Sequence, residues 1–249
     1  MKKYEEIYKA YVESIETGGE LGTMVTQALH GGKNIRAILV LAWCDYYGGD
    51  VNKALPAAFA VELAHCASLI QDDLPCMDNS TTRRGKPALH KTFGEAGAIL
   101  CSDVLLSSSY AFLASLDIPM ECRLGAIRLF SETFIDMCDG QYAELSSSTI
   151  KPDLQIDINL KKTGALMGCA CSLGAIVAGE DYTEARMFGQ HLGLAYQILD
   201  DKKDRDGSYK NLTDREIEII LKICQNNLTL SESSVAANFL TSLAKQFTL

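Results

Sequence analysis

The chain has 249 residues, of which 47% are hydrophobic, and a formal net charge of −9 at pH 7. This length can bury one large core, and the composition excludes disordered, collagen-like and disulfide-rich classes of protein. An acidic protein repels nucleic acid and anionic lipid, so neither is expected as its main partner. Bound cations can nevertheless reverse the local charge and hold anionic substrates.

Helical periodicity dominates the sequence, without sustained period-two alternation and without an Asn-Gly or Asp-Gly hairpin signal between apolar runs. Glycine and proline residues separate the periodic segments by short connections. The predicted helices span residues 2–16, 34–47, 52–73, 91–115, 119–142, 155–178, 182–204, 213–227 and 232–246. Short connections favour antiparallel neighbours, so the sequence predicts an all-α antiparallel helical bundle that forms a single domain over residues 1–249.

The cysteines and the apolar runs indicate the compartment. None of the nine cysteines forms a Cys-x-x-Cys pair, so all are predicted to be reduced thiols, several of them in the core. The charged N-terminus lacks the apolar core of a signal peptide, which predicts a cytoplasmic protein. The uncharged run 163–179 is shorter than the roughly 20 residues of a membrane span. It is predicted to be a buried helix, and no transmembrane segment is expected.

The first chemical signal is the cluster of Asp72, Asp73 and Asp78 at the end of an apolar helical segment. In a regular helix Asp78 would point well away from Asp72, at about 100° per residue. Pro75 interrupts that regularity. If the helix unwinds there, Asp78 can return toward Asp72 and form a shared carboxylate site.

A second acidic cluster, Asp200-Asp201-Lys-Lys-Asp204, ends another amphipathic helix. Asp200 and Asp204 lie on one helical face, where like charges repel each other unless a cation lies between them. Carboxylate oxygens suit Mg²⁺, which commonly bridges protein carboxylates to substrate phosphates. Each cluster alone could be a solvated helix end, but the two together favour metal sites.

Basic residues occur at three further places in the chain. Gly31-Gly32 precedes a predicted helix whose N–H groups can bind an anion, and Lys33 with Arg36 can add charge-assisted bonds. The other basic pairs are Arg83-Arg84 and Lys161-Lys162. Each group alone is a common surface feature.

Five segments, in this order, resemble the trans-type polyprenyl diphosphate synthase family, which includes farnesyl and geranylgeranyl diphosphate synthases. They read GGKNIR, HCASLIQDDLPCMDNSTTRRGKPALHKTFGEAGAILCSDVLL, DGQYAEL, KKTGAL and GLAYQILDDKKD. The resemblance implies an all-α isoprenoid synthase bundle around a central active-site cavity, and a homodimer. It also implies magnesium-dependent condensation of isopentenyl diphosphate with an allylic diphosphate.

The resemblance assigns the acidic residues to metal. Two magnesium ions on the allylic diphosphate would be held by Asp72, Asp73 and Asp78, and a third ion by Asp200 and Asp204. Ionisation of an allylic diphosphate separates a carbocation from an anion, so cations stabilise the departing pyrophosphate.

The resemblance assigns the remaining polar residues to the substrates. Arg83 and Lys162 would contact the allylic diphosphate, while Thr163 and Gln197 would face the developing carbocation. The isopentenyl diphosphate site would be formed by Lys33, Arg36, His65 and Arg84. For His65, Thr163 and Gln197 the alternatives are a satisfied core histidine, a helix cap and a core hydrogen bond, respectively.

The sequence departs from the family pattern at three places. Gln71 replaces the usual histidine, Asn79-Ser80 replaces further acids, and the region after about residue 205 is shortened. Lys210 is a candidate substitute for the lysine of the closing loop. The shortening keeps a non-catalytic regulatory subunit as an alternative. A terpene cyclase is disfavoured because its late Asn/Asp-Ser/Thr-Glu metal motif is not found.

Product length depends on the residues about one turn before Asp72. Ala67 and Ser68 are small at this position, where a bulky aromatic residue often limits family members to fifteen carbons. We therefore expect geranylgeranyl diphosphate as the main product, with farnesyl diphosphate as the alternative.

Overall fold

The computed structural model describes residues 2–13, 18–146, 152–204, 214–226, 230 and 234–245. Apart from one short hairpin, the regular structure in these residues is helical, which confirms the all-α prediction. The first helices are α1 Lys2–Glu13, α2 Gly19–Leu29, α3 Ile35–Tyr46, α4 Leu55–Asp72 and α5 Leu89–Ala114, with a 3₁₀ turn at Val51–Ala54. They are followed by α6 Met120–Ser146, α7 Pro152–Asn159, α8 Ala165–Ala178, α9 Thr183–Asp204, α10 Asp214–Asn226 and α11 Val235–Lys245. The hairpin strands are β1 Thr82–Arg83 and β2 Lys86–Pro87.

The chain divides into two compact units. The first contains Met1–Ile38 and Leu55–Asp117, and the second contains Leu39–Ala54 and Ile118–Leu249. The single domain around a central cavity stays a prediction.

In the first unit, small polar residues join α4 to α5. The buried hydroxyl of Ser109 donates to the carbonyl of Ala60 at 2.9 Å, and that of Ser102 donates to the carbonyl of Ala67 at 3.3 Å. Near the start of α4, aromatic edges pack against Phe59, whose partners are Tyr8, Tyr11 and Phe112. These contacts hold α4 as a mostly buried helix, with Asp72 at its end.

In the second unit, glycines bring α9 close to the chain segment that begins α8. A methyl group at Gly193 would lie 2.8 Å from the Cα of Gly164, and one at Gly189 would lie 2.7 Å from the Cα of Gly168. The paired numbers rise on one helix as they fall on the other, so the two helices are antiparallel. This close approach requires glycine because any side chain would separate the backbones.

The long helices begin and end within a few residues of their predicted bounds, but three elements were missed. Helix α2 was not predicted because its glycines and β-branched residues have low helix propensity; burial of Met24 and Val25 stabilises it instead. The hairpin was not predicted, because its turn is Arg84-Gly85 and lacks the Asn-Gly or Asp-Gly signal. The predicted helix 155–178 contains a π-helical turn at Leu160–Gly164, which has no recognisable sequence signal.

Three helical stretches are long and apolar enough to cross a membrane, judged by length and composition alone: Val51–Asp72, Leu89–Ala114 and Gln155–Ala178. The most apolar part of the first is 72% buried within the protein and that of the third 83%, whereas the corresponding part of α5 is only 33% buried. The run 163–179 is therefore a buried helix, as predicted. All nine cysteines are free thiols, which also agrees with the prediction.

Two glycines of α6 provide a test of this packing. A methyl group at Gly140 would lie 2.9 Å from the Cβ of Lys161 and 2.9 Å from the backbone nitrogen of Lys162, whereas the space around Gly125 is open. We expect Gly140→Ala to destabilise the protein by about 1–3 kcal/mol through overpacking. Gly125→Ala is the matched control and should stabilise it by roughly 0.5–1 kcal/mol through helix propensity. Thermal unfolding followed by circular dichroism measures both, and a shift of the two variants in the same direction would contradict the packing.

Candidate active site

The chain reverses direction directly after Asp72, the last residue of α4. The N–H of Asp78 donates to the carbonyl of Asp72 at 2.9 Å, and the N–H groups of Met77 and Asn79 donate to the carbonyl of Leu74 at 2.9 and 3.0 Å. Leu74 is buried and anchors this turn. The helix therefore unwinds where Pro75 predicted it would, and the backbone of Asp78 returns to Asp72.

Asp73 is buried and bound to Arg83. The Nε atom of Arg83 donates to both carboxylate oxygens of Asp73 at 3.1 and 3.2 Å, and Nη2 donates to Oδ1 at 2.5 Å. This hydrogen bond is the largest cause that raises the pKa of Arg83, and the charges of Asp72 and Asp78 act in the same direction. Arg83 thus lies within the field of all three aspartates of the first cluster.

The donor atoms of this cluster fit magnesium. Within the described residues, no group of three His, Cys, Asp or Glu side chains is arranged to hold a metal ion. Mg²⁺ commonly binds through only one or two carboxylates and completes its shell with water and substrate phosphate. Asp72 and Asp78, adjacent to each other through their backbones, provide hard oxygen donors of this kind.

Arg84 occupies a strained position at the tip of the hairpin. It has a φ of 51° and Gly85 a φ of 75°, as at the centre of a type I′ turn, where Asn-Gly is the usual sequence. The Nη1 atom of Arg84 lies 3.4 Å from the carbonyl of Ala28 and 3.5 Å from that of His30. Backbone strain in a residue other than glycine is commonly found at functional sites.

Gly31 and Gly32 lie against the side chain of Arg84. A methyl group at Gly32 would lie 3.0 Å from its Nη1 atom, and one at Gly31 would lie 3.7 Å from its Cβ. The glycine pair therefore makes room for the guanidinium. This contact joins two of the sequence motifs and was not predicted.

His65 lies among the arginines, as the resemblance implies. Burial lowers its pKa well below the ordinary value, and the positive charges of Arg36, Arg84 and Arg83 lower it further. The imidazole is therefore neutral at pH 7. Lys33 is exposed just before α3 begins.

A buried acid that the sequence analysis did not identify belongs to this region. The Oε1 atom of Glu62 accepts the N–H of Ala37 at 3.1 Å, and Arg36 and Arg84 act on the carboxyl group electrostatically. The sequence feature that could have revealed this acid is the position of Glu62, a charged residue inside an otherwise apolar stretch of α4.

Arg83 and Arg84 also line a small open pocket with a cavity volume of about 40 Å³. Its lining includes Asp73, Arg83 and Arg84, together with the apolar residues Leu69 and Ile70. Cys66 lies at the same pocket, but burial raises the pKa of its thiol to about 12, so it is not a nucleophile at neutral pH.

In the second unit, the π-helical turn presents two of the predicted residues. The ammonium of Lys162 contacts Glu144 Oε2 at 2.5 Å, and the hydroxyl of Thr163 donates to Gln197 Oε1 at 3.0 Å. Glu144 belongs to α6 and was also missed, although it lies in the DGQYAEL segment. Neighbouring residues of one turn thus bind to two different helices.

Helix α9 carries the second acidic cluster to its end at Asp204. Asp200 is exposed and lies three residues after Gln197, on the same side of the helix. The backbones of Asp200 and Asp204 are one helical turn apart, as predicted. The side chain of Asp204, and Lys210 altogether, lie outside the described residues.

The sequence profile of the family described as "Polyprenyl synthetase" matches residues 19–216. The chain belongs to this family. Its relatives include a heterodimeric geranylgeranyl pyrophosphate synthase large subunit 2 of Arabidopsis thaliana, 38% identical over 225 residues. A farnesyl diphosphate synthase of Bacillus subtilis is 36% identical over 225 residues.

These alignments differ in how much of each relative they cover. They include 85% of this chain and 60% of the plant protein, and 86% of this chain and 76% of the bacterial one. The chain thus spans about 60% of the length of the plant relative. The solved structure of a geranyltransferase from Legionella pneumophila is 30% identical, with a TM-score of 0.86 and coverage of 99% of this chain and 94% of that one.

The lowered pKa of His65 leads to a prediction for this polyprenyl synthetase family member. A folded-state pKa below the unfolded value favours neutral His65, so stability is lost as pH falls below about 6.5 toward the folded pKa. We expect urea unfolding to show a larger loss of stability between pH 7.5 and 5.5 for the original protein than for His65→Gln. Equal losses would contradict the assigned environment, and ring-proton NMR of His65 measures its pKa directly.

Proposed function

We propose that this protein is a short-chain trans-prenyltransferase that condenses isopentenyl diphosphate with allylic diphosphates. One observation carries the proposal: Arg36 and Arg84, which surround the neutral His65, adjoin the aspartate cluster through Arg83, in a member of the polyprenyl synthetase family. This arrangement suits a reaction between two diphosphates. One diphosphate would bind the aspartates through metal ions, and the other would bind the arginines directly. The names of the relatives support both geranylgeranyl and farnesyl products.

The isopentenyl substrate is assigned to Lys33, Arg36, His65 and Arg84. Guanidinium groups bind phosphate oxygens in bidentate fashion, and a neutral imidazole can donate one further hydrogen bond without adding charge. The left-handed backbone of Arg84 and the space at Gly32 hold the Arg84 guanidinium before substrate arrives. Such preorganisation reduces the entropy lost on binding.

The allylic diphosphate is assigned to Arg83 and Lys162, together with metal. Three magnesium ions would be held by Asp72, Asp73, Asp78, Asp200 and Asp204. When bound, magnesium supplies positive charge that stabilises the departing pyrophosphate. In the free protein Arg83 binds the carboxylate of Asp73, and Lys162 binds that of Glu144. A diphosphate carries more negative charge and would accept hydrogen bonds from both residues.

Thr163 and Gln197 are assigned to the developing carbocation. Their oxygens already lie together in one hydrogen bond, so their dipoles are oriented without a further conformational change. In the proposed reaction the cation must be kept from water until the isopentenyl double bond attacks it.

We further propose a homodimer formed through α5. This helix exposes large apolar side chains, with Ile99 47% and Leu100 56% exposed, although its composition is that of a buried helix. A second copy of the chain would cover this face. Sedimentation equilibrium tests the proposal, and a monomer at micromolar concentration would exclude it.

The cytoplasmic location stays a prediction.

The metal-site assignment is tested by Asp72→Asn combined with Asp73→Asn. We expect turnover to fall at least about 100-fold, because the variant loses two anionic oxygen ligands while the helical fold is kept. The control is Glu6→Gln with Glu20→Gln, which removes the same charge at two exposed positions. Activity is measured with purified protein, both substrates and magnesium, and a chelator should stop the reaction of the original protein. Unchanged turnover in the aspartate variant would refute the assignment, and an inactive original protein would refute the proposed function.

Geranylgeranyl diphosphate is the product that we propose, and Ala67 provides its test. Ala67 is completely buried on α4 and contacts α5 through Ser102, so a larger side chain there must take space from its surroundings. We expect Ala67→Phe to shift the main product from twenty to fifteen or fewer carbons. Ala67→Ser is the small-residue control and should keep the original product. Chromatography of the dephosphorylated products measures the shift. Release of only the fifteen-carbon product by the original protein would show that the assignment of Ala67 is wrong.

A further inference from the structure

Glu62 is a buried acidic residue, and acidic residues are rarely buried in proteins. Its side chain is 2% exposed on α4, with the buried residues Val61 and Leu63 on either side. A buried carboxylate destabilises a fold unless other groups compensate its charge and fill its hydrogen-bonding capacity. The residues that do so show what Glu62 is for.

The carboxylate of Glu62 caps a different helix. It accepts the N–H of Ala37 at 3.1 Å and also a hydrogen bond from the backbone N–H of Arg36. Both groups belong to the first turn of α3, which begins at Ile35 and whose N–H groups have no partner within the helix. Negative charge is favoured at this end of a helix. Glu62 therefore ties the start of α3 to α4, across 25 residues of sequence.

The charges around Glu62 are those of the candidate isopentenyl diphosphate site. Burial raises the pKa of Glu62, and the strongest opposing influence is Arg36, followed by the Ala37 N–H and Arg84. The same two arginines act on His65, which lies three residues further along α4 on the same side of the helix. Glu62 thus belongs electrostatically to this site, although its hydrogen bonds in the structure go to the α3 backbone.

We propose that Glu62 is the positioning residue of the isopentenyl diphosphate site. Its carboxylate fixes the first turn of α3, and with it Arg36, relative to His65 and Arg84, so that the guanidinium groups converge on one diphosphate. This inference rests on the proposed function for the identity of the ligand. The capping geometry itself does not depend on that identity.

The physical reason for this role is repulsion between like charges. Two guanidinium groups that bind one diphosphate must lie close together before it arrives, and each raises the energy of the other. A fixed negative charge behind them offsets this repulsion without occupying the face that the ligand needs. Removal of the charge should let Arg36 move away and weaken diphosphate binding.

Two substitutions of Glu62 separate its charge from its shape. Glu62→Gln keeps the size and one oxygen acceptor for the α3 N–H groups but removes the charge. Glu62→Asp keeps the charge and shortens the side chain by one methylene group. The control is Ser109→Ala, which removes a buried, uncharged hydrogen bond to Ala60 of the same helix.

The first measurement is steady-state kinetics with magnesium and both substrates. We expect Glu62→Gln to raise the KM for isopentenyl diphosphate at least about fivefold, with kcat and the KM for the allylic diphosphate changed less than about twofold. Glu62→Asp should raise the same KM by a smaller factor. Ser109→Ala should lower the melting temperature and leave both KM values unchanged, which separates positioning from a general loss of stability.

The second measurement is calorimetry of isopentenyl diphosphate binding without magnesium, which does not depend on catalysis. Weaker binding by Glu62→Gln than by the original protein supports the inference, whether or not the original protein shows turnover. If the original protein binds isopentenyl diphosphate but shows no turnover, only the proposed function fails. Equal binding by the two overturns the inference, as does an equal rise of both KM values in an active enzyme. If Glu62→Gln does not fold, the same comparisons with Glu62→Asp decide the question.

Discussion

Repulsion among closely spaced cations is the constraint on which the candidate site depends. Arg36, Arg83 and Arg84 all act on His65 in the first unit, so they share a small region. Two unit charges 4 Å apart at an effective dielectric constant of 20 interact by about 4 kcal/mol, which is a large fraction of a typical stability. The fold tolerates these arginines because a carboxylate acts on each of them, namely Asp73 for Arg83 and Glu62 for the other two.

Glu144, Glu62 and Asp73, the carboxylates that act on the basic residues of the candidate site, differ in how easily a ligand can replace them. Glu144 and its partner Lys162 are both about one third exposed, with side-chain exposures of 31% and 30%, so water weakens their attraction and the proposed diphosphate ligand would compete with a weak pair. Glu62 is buried and already engaged with the backbone of α3, so it does not compete for the ligand. Asp73 is intermediate, because it is buried whereas Arg83 is 38% exposed. The replaceable pair and the intermediate pair contain Lys162 and Arg83, which are assigned to the allylic diphosphate, whereas the fixed Glu62 supports the residues assigned to isopentenyl diphosphate.

The sequence predicted those features that depend on strong local rules. Pro75 after an apolar helix indicated how Asp78 can return toward Asp72, and the long helices followed from their periodicity. Features that depend on tertiary contacts were missed. The hairpin places Arg84 in a conformation that local propensity disfavours, and contacts with α2 compensate for it. Glu62 was not identified, because its hydrogen bond to Ala37 exists only when the start of α3 lies against α4.

The π-helical turn shows how backbone contacts can direct chemistry. Lys162 and Thr163 are adjacent in sequence yet bind α6 and α9, respectively. A glycine lies opposite this turn on each of the two helices. Gly140 of α6 faces the backbone of Lys162, and a methyl group at Gly193 of α9 would lie 3.1 Å from the carbonyl oxygen of Thr163. A helix whose turn is enclosed by two backbones cannot rotate without a clash, so the backbone positions of Lys162 and Thr163 are fixed. The glycines of DGQYAEL and GLAYQILDD therefore belong to the site as much as its charged residues, because they fix the backbone positions of the residues that carry the functional groups.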